Sequence, residues 1–163
     1  MCVLSHNDII KERHKGSLVI EPLKEGSVQP ASVDLHLGSE FLYRYFGKWQ
    51  STEGDYVLSP GAFVLAHTEE WIELPAHLCA KIEGKSSLGR EGLIIELAGF
   101  VDPGWKGLLT LEMSNISDRA KPLKRGMPIC QIRFEKLLTP ATVLYGDLAL
   151  NSHYQGSKGV RHG

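Results

Sequence analysis

The stretch Leu108-Leu109-Thr110-Leu111-Glu112-Met113-Ser114-Asn115 decides the reading of the chain, because Leu109, Leu111 and Met113 alternate with Thr110, Glu112 and Ser114. A period of two sends successive side chains to opposite faces of an extended backbone, so this is a β-strand with one face in a core. Glu112 falls on the polar face. Val33-Asp34-Leu35-His36-Leu37 repeats the alternation on a shorter scale. Outward from these two, short runs rich in β-branched, leucine and aromatic residues predict further strands over Leu18–Ile20, Phe41–Phe46, Tyr56–Leu58, Phe63–Glu69, Trp71–Leu74, Leu78–Glu83, Leu93–Leu97, Pro122–Leu123 and Ile129–Leu137. Gly47, Pro60-Gly61, Pro75, Pro103-Gly104 and Gly126-Met127-Pro128 punctuate them. Turn signals at intervals of about 8 to 12 residues are those of a sandwich or barrel.

Two segments break the pattern. Ser5 followed by Asp8 forms a capping-box signature that opens a helix through Ile9, Ile10 and about His14, with Gly16 as its stop. Lys85-Ser86-Ser87-Leu88-Gly89-Arg90-Glu91-Gly92 sets hydroxyls ahead of a helical turn between two strands. The fold class is therefore mainly β with a few short helices. The 163 residues suit one domain, 1–163, large enough to bury a core without staples. The sequence contains no repeat, low-complexity segment or linker. The end of the chain, from about residue 153 to residue 163, is glycine-rich and cationic over Gly156 to Gly163, and reads as a flexible tail or as a flap that orders on an anion.

Composition narrows the function. Eighteen Lys and Arg against 19 Asp and Glu give a net charge of -1, without the basicity of a typical duplex binder, so a nucleic-acid polymer is not the expected partner. No apolar run nears the roughly 18 residues of a membrane span, and Asp8, Lys11, Glu12 and Arg13 stand where a signal peptide is apolar. Three scattered cysteines, Cys2, Cys79 and Cys130, suit reduced thiols, so the expected setting is cytoplasmic, with no membrane partner. His67-Thr68-Glu69 matches half of the zinc deaminase signature, but the Pro-Cys-x-x-Cys half is absent, so no zinc and no protein-held metal site is expected. Walker, dinucleotide-binding and nucleophile-elbow motifs are absent as well.

The remaining chemistry lies between Glu83 and Asn115. Lys85 and Arg90 supply cations and Ser86 and Ser87 hydroxyls, a composition suited to an anion; the same residues read equally well as a solvated surface helix. Asp102-Pro103-Gly104-Trp105 is a turn in which the aspartate by itself more often bonds its own backbone. Glu112, between Thr110 and Ser114, could by spacing alone face only water.

Five ordered strings change these weights: QPASVDLHLG (29–38), GKSSLGREGL (84–93), AGFVDPGWKGLLTLE (98–112), GMPICQIRF (126–134) and HYQGSKG (153–159). Together they resemble the dCTP deaminase branch of the trimeric dUTPase superfamily, over nearly the whole chain. The resemblance implies a homotrimer of distorted β-barrel or jelly-roll subunits, with dCTP or dUTP bound between subunits. Mapped by motif, Lys85, Ser86, Ser87, Leu88, Gly89 and Arg90 hold phosphates and the reacting water. Asp102 meets the deoxyribose, while Ala98, Gly99, Thr110, Leu111 and Glu112 surround the base and its water. Gln131, Tyr145, Tyr154, Gln155 and Lys158 take the phosphates. Glu112 matches the family's proton-shuttling glutamate, with Ser86, Arg90 and Asp102 as its catalytic companions. Magnesium is implied only through the triphosphate.

Within that branch, Ala98-Gly99-Phe100 together with Asp102 resembles members that also cleave the triphosphate, implying dCTP to dUMP, pyrophosphate and ammonia. The alternatives are a deaminase that stops at dUTP, a monofunctional dUTPase, against which Glu112 argues, and a silent nucleotide-binding trimer. His153 and Ser157 depart from the family's tail pattern, and Lys85 replaces a common arginine, keeping charge but losing the bidentate fork.

Overall fold

The structure, a computed structural model, describes residues 2–95 and 99–162. Its elements in chain order are β1 (Cys2–Val3), α1 (His6–His14), β2 (Val19–Glu21), β3 (Val33–His36), β4 (Glu40–Tyr45), β5 (Lys48–Glu53), β6 (Tyr56–Leu58) and β7 (Phe63–Glu73). They continue with β8 (Leu78–Gly84), α2 (Ser86–Arg90), β9 (Leu93–Ile95), β10 (Phe100–Val101), β11 (Lys106–Asn115), β12 (Lys121–Leu123) and β13 (Pro128–Lys136). One sheet runs β1-β13-β8-β10 with β3 also on β13; the other runs β5-β4-β7-β11-β9 with β2 also on β7. The pairings within both are antiparallel. The chain is mainly β and jelly-roll-like, and the sheets do not close into a barrel.

The core lies between the sheets. Leu111 and Met113 of β11 point into it with Leu35, Phe41, Ile72 and Phe134, all fully buried. Each such side chain contributes roughly 1.5–3 kcal/mol by leaving water. One polar pair crosses the same layer: His36 Nδ1 meets Glu70 Oε1 at 2.6 Å, and the His36 N–H donates to Glu70 Oε2 at 2.9 Å. Both carboxylate oxygens thus have partners, as a buried charge requires.

Strand β7 is continuous where its sequence reads as two strands. Its register against β11 passes from Leu108↔Trp71 to Thr110↔His67, so β7 bulges by two residues around Thr68, Glu69 and Glu70. Thr68 stabilises the bulge: its hydroxyl accepts from the Leu109 N–H (3.0 Å) and donates to the Glu70 carbonyl (2.9 Å). The interruption of alternation at Glu70 is this bulge. Three strands went unread. β5, Lys-Trp-Gln-Ser-Thr-Glu, is an exposed edge without an apolar face, and β1 and β10 are two residues each.

Helix α1 matches its signature. Ser5 is the N-cap, and the reciprocal bonds of the capping box with Asp8 are both present. Among the described residues no helix is long and apolar enough to cross a membrane.

Candidate active site

Strand β11 forms one wall of a cavity of about 400 Å³. Because its alternate side chains leave the core, Thr110 and Glu112 face this space side by side, opposite His67 and Leu65 of β7. Phe63 and Leu65 extend the apolar lining, and Gly99, Phe100 and Asp102 close another side. Gly99 is fixed by contact: a Cβ there would stand 2.9 Å from the Ile82 carbonyl oxygen, and the Gly99 carbonyl accepts from the Ile82 N–H (2.8 Å).

Asp102 opens the turn expected of Asp-Pro-Gly-Trp, closed by the Trp105 N–H to the Asp102 carbonyl (3.2 Å) with Gly104 at φ 87°. The segment around Tyr145 packs beneath this turn. Its N–H donates to the Pro103 carbonyl (2.8 Å), its ring lies 5.3 Å from that of Trp105, and its hydroxyl accepts from the Tyr154 N–H (3.2 Å). Tyr145 and Tyr154 both reach the cavity. The outcome is a carboxylate on a hydrogen-bonded turn and a second on a paired strand, lining one aromatic chamber.

The structure therefore brings together Gly99, Asp102, Thr110, Glu112, Tyr145 and Tyr154. It does not add the other motif residues within one subunit. Ser86, Ser87, Leu88, Gly89 and Arg90 form α2, mostly exposed, and none of them lines the cavity. Lys85, not a serine, takes the N-cap position and makes no side-chain cap bond, so the serine hydroxyls sit in the first turn itself. Lys85 pairs with Asp34 at 2.7 Å, and Gln131 beside them accepts from the Ser32 hydroxyl (3.1 Å). Asp34 and Gln131 lie on β3 and β13 of the other sheet, and Lys85 and α2 connect β8 of that sheet to β9.

Three motif residues have different surroundings from those expected. Leu111 is fully buried on the core face of β11 and lines no part of the cavity. Gln155 is committed to its own chain: its Oε1 accepts from the Lys106 N–H (3.0 Å), and its Nε2 donates to the Gly104 and Tyr145 carbonyls (2.8 and 3.0 Å). Lys158 is exposed and lines no part of the cavity; Arg161 does. Ala98 lies outside the described residues.

Trp49, Phe63, Arg161 and His162 were missed among the lining groups. Trp49 sits on the unread strand β5, and Arg161 and His162 belong to the glycine-rich end, so no local pattern marks them. His67 and Glu69 have structural surroundings. His67 Nε2 accepts from the Glu40 N–H (3.4 Å) and its Nδ1 donates to the Thr68 carbonyl (2.7 Å), while Glu69 pairs with Lys24 at 2.6 Å.

The fold recurs in solved proteins. The dUTPase of EIAV superposes with a TM-score of 0.57 over 77% of this chain and 93% of that one, at 20% identity, a likeness of fold alone. The 2'-deoxycytidine 5'-triphosphate deaminase from Agrobacterium tumefaciens gives a TM-score of 0.68 at 27% identity, covering 81% of this chain and 47% of that one. The architecture is thus of the dUTPase-like class. The family model described as dCTP deaminase-like matches residues 3–53 and 44–137, and the chain belongs to that family. It is 40% identical to a Corynebacterium glutamicum protein named "dCTP deaminase, dUMP-forming", over 96% of this chain and 93% of that one. A Methanobrevibacter smithii protein of the same name is 38% identical, over 94% and 90%.

Proposed function

We propose that the protein deaminates dCTP at C4 of the cytosine and cleaves the triphosphate in the same pocket, so that dCTP and two waters give dUMP, pyrophosphate and ammonia. The observation that carries this reading is the placement of Glu112 and Asp102 in the lining of one cavity, in a chain whose relatives bear the dUMP-forming name. In the deamination, the Glu112 carboxylate takes a proton from water as the oxygen attacks C4. It then returns protons to N3 and the leaving amine, which one carboxylate can do in sequence. Thr110, two residues away on the same face, orients the base. Asp102 activates the second water against the α-phosphate.

The polyanion needs cations, and the Lys85–Arg90 segment lines no part of this cavity in its own subunit, where Lys85 pairs with Asp34. A homotrimer resolves this by setting Lys85, Ser86, Ser87, Arg90 and Gln131 of one subunit against the Glu112 cavity of the next, where Ser86 and Arg90 hold the deaminating water. Among the described residues no group of three or more His, Cys, Asp or Glu side chains could hold a metal ion. We assign magnesium to the triphosphate, where it would neutralise charge. A cytoplasmic site of action accords with this substrate class.

Time courses with dCTP and magnesium test the proposal. Ammonia and pyrophosphate released in equal amounts are expected. Stoichiometric dUTP without pyrophosphate would leave deamination alone, and turnover of dUTP without ammonia would make the protein a dUTPase.

A further inference from the structure

Residues 156–162 lead from the start of β11 to Arg161 and His162, which line the Glu112 cavity of their own subunit. The Gly156 N–H donates to the Lys106 carbonyl (2.8 Å) and the Ser157 carbonyl accepts from the Leu108 N–H (2.9 Å), forming a parallel bridge at the start of β11. Gly107 permits this approach, because a Cβ on it would stand 3.0 Å from the Ser157 nitrogen and its φ is 153°. Ser157 is buried, and its hydroxyl donates to the Gly159 carbonyl (2.9 Å). Next, the Val160 N–H donates to Glu40 Oε2 (3.0 Å). A Cβ on Gly159 would lie 2.5 Å from that same oxygen, so Glu40 and Gly159 are fitted to each other. Finally the His162 ring stacks on Trp49, with centroids 5.2 Å apart and planes at 8°, and the Arg44 guanidinium lies 5.0 Å from the same indole.

Ordering the end of a chain costs conformational entropy in every residue fixed, so specific contacts must offset it. Those beyond Ser157 converge on Glu40 at the start of β4 and Trp49 on β5, the hairpin edge of the sheet. Between the two anchors, Val160 and His162, stands Arg161, which lines the cavity with Asp102 and Glu112. Two carboxylates repel a polyphosphate, and a guanidinium beside them offsets that repulsion.

We infer that Glu40 and Trp49 are positioning residues that latch the C-terminal segment over its own subunit's cavity and deliver Arg161 as a contact for the anionic part of a nucleotide. The inference rests on the nucleotide reading above for its ligand, but the latch itself does not.

Trypsin, which cuts after Lys158 and Arg161, reads the latch without any nucleotide. Wild type, Glu40→Ala, Gly159→Ala, Trp49→Ala and Trp49→Phe are compared by mass spectrometry of the released ends, with thermal unfolding as the check on the core. Release should be about tenfold faster in Glu40→Ala, Gly159→Ala and Trp49→Ala, and near the wild-type rate in Trp49→Phe, which keeps a stacking ring. Gly159 lies in the tail, so its variant leaves the two sheets intact. In steady state, Glu40→Ala and Arg161→Ala should raise KM for dCTP about tenfold while kcat changes less than threefold. Wild-type proteolysis of both Glu40→Ala and Gly159→Ala would overturn the latch. Faster proteolysis with an unchanged KM would overturn the delivery of Arg161. A wild-type protein that turns over no dCTP would instead overturn the proposed reaction, and the proteolysis rates would still decide the latch.

Discussion

Glu112 is where a single atom pair changes the proposed chemistry most. Glu112→Gln keeps the shape of the side chain and removes its ability to carry a proton, so ammonia release should fall by about 10² or more. Nucleotide binding, followed by calorimetry, should stay near wild type; deamination at an undiminished rate would remove Glu112 from the proposed role. Gly38 is decisive for packing rather than chemistry. A Cβ there would overlap the His67 ring, which is held in place by its bonds to Thr68 and Glu40. Gly38→Ala should therefore cost about 1–3 kcal/mol in urea unfolding, as overpacking of a rigid site does. His67 and Glu69 are the contrasting case. Their spacing is half of a metal motif, yet each is used by its neighbours in the fold, and only three-dimensional contacts distinguish the two uses.

Helix α1 was legible because its signals are local: a capping serine, an acid at the third position and a glycine stop. Ser5→Ala should lower stability by about 1 kcal/mol, measurable as a lower midpoint in thermal unfolding. The other end of α1 depends on distant chain. Burial pushes the Glu12 carboxyl up, but hydrogen bonds from Ser17 (2.6 Å), Lys15 (2.9 Å) and His77 (3.0 Å) outweigh it and bring it down to about 2. A carboxylate lowered in the folded state adds stability that is complete above its ordinary value of 4.5 and disappears as pH falls toward 2. Its contribution is on the order of 2 kcal/mol, discounted for partial exposure. Unfolding followed from pH 6 to pH 2 should show Glu12→Gln less stable than wild type at the upper end, with the gap closing through that window. An undiminished gap at pH 2 would assign the effect to packing. Strand β5 shows the opposite limit of local reading. A polar edge strand has no apolar face to announce it, and its pairing with β4 through Leu42↔Ser51 and Tyr43↔Gln50 exists only in the hairpin.

At the scale of the molecule, the Lys85–Arg90 segment lines no part of the Glu112 cavity in its own subunit, and this separation makes the proposed site a property of the assembly. Light scattering should give a mass near three times 18.1 kDa. Arg90→Ala and Glu112→Gln should each be inactive as homotrimers. Mixed trimers should recover activity, because some interfaces would pair an intact Lys85–Arg90 cluster with an intact Glu112 cavity. Absence of recovery after verified subunit exchange would place both clusters at one subunit's own site.

The sequence by itself determined the class of fold, the inward face of β11, the cap of α1 and the order of the motif strings, since each depends on neighbours a few residues apart. It also placed Glu112 on the polar face, because a strand's two faces follow from its period. Tertiary structure alone decided that Glu70 turns inward to His36, through a bulge with no local signature, and that Gln155 is consumed by backbone bonds while Arg161 reaches the cavity. It likewise joined Glu40 and Trp49 to the last residues, across more than 110 positions of chain in each case. Such contacts are fixed by how two sheets and a tail pack, and no spacing along the chain encodes them.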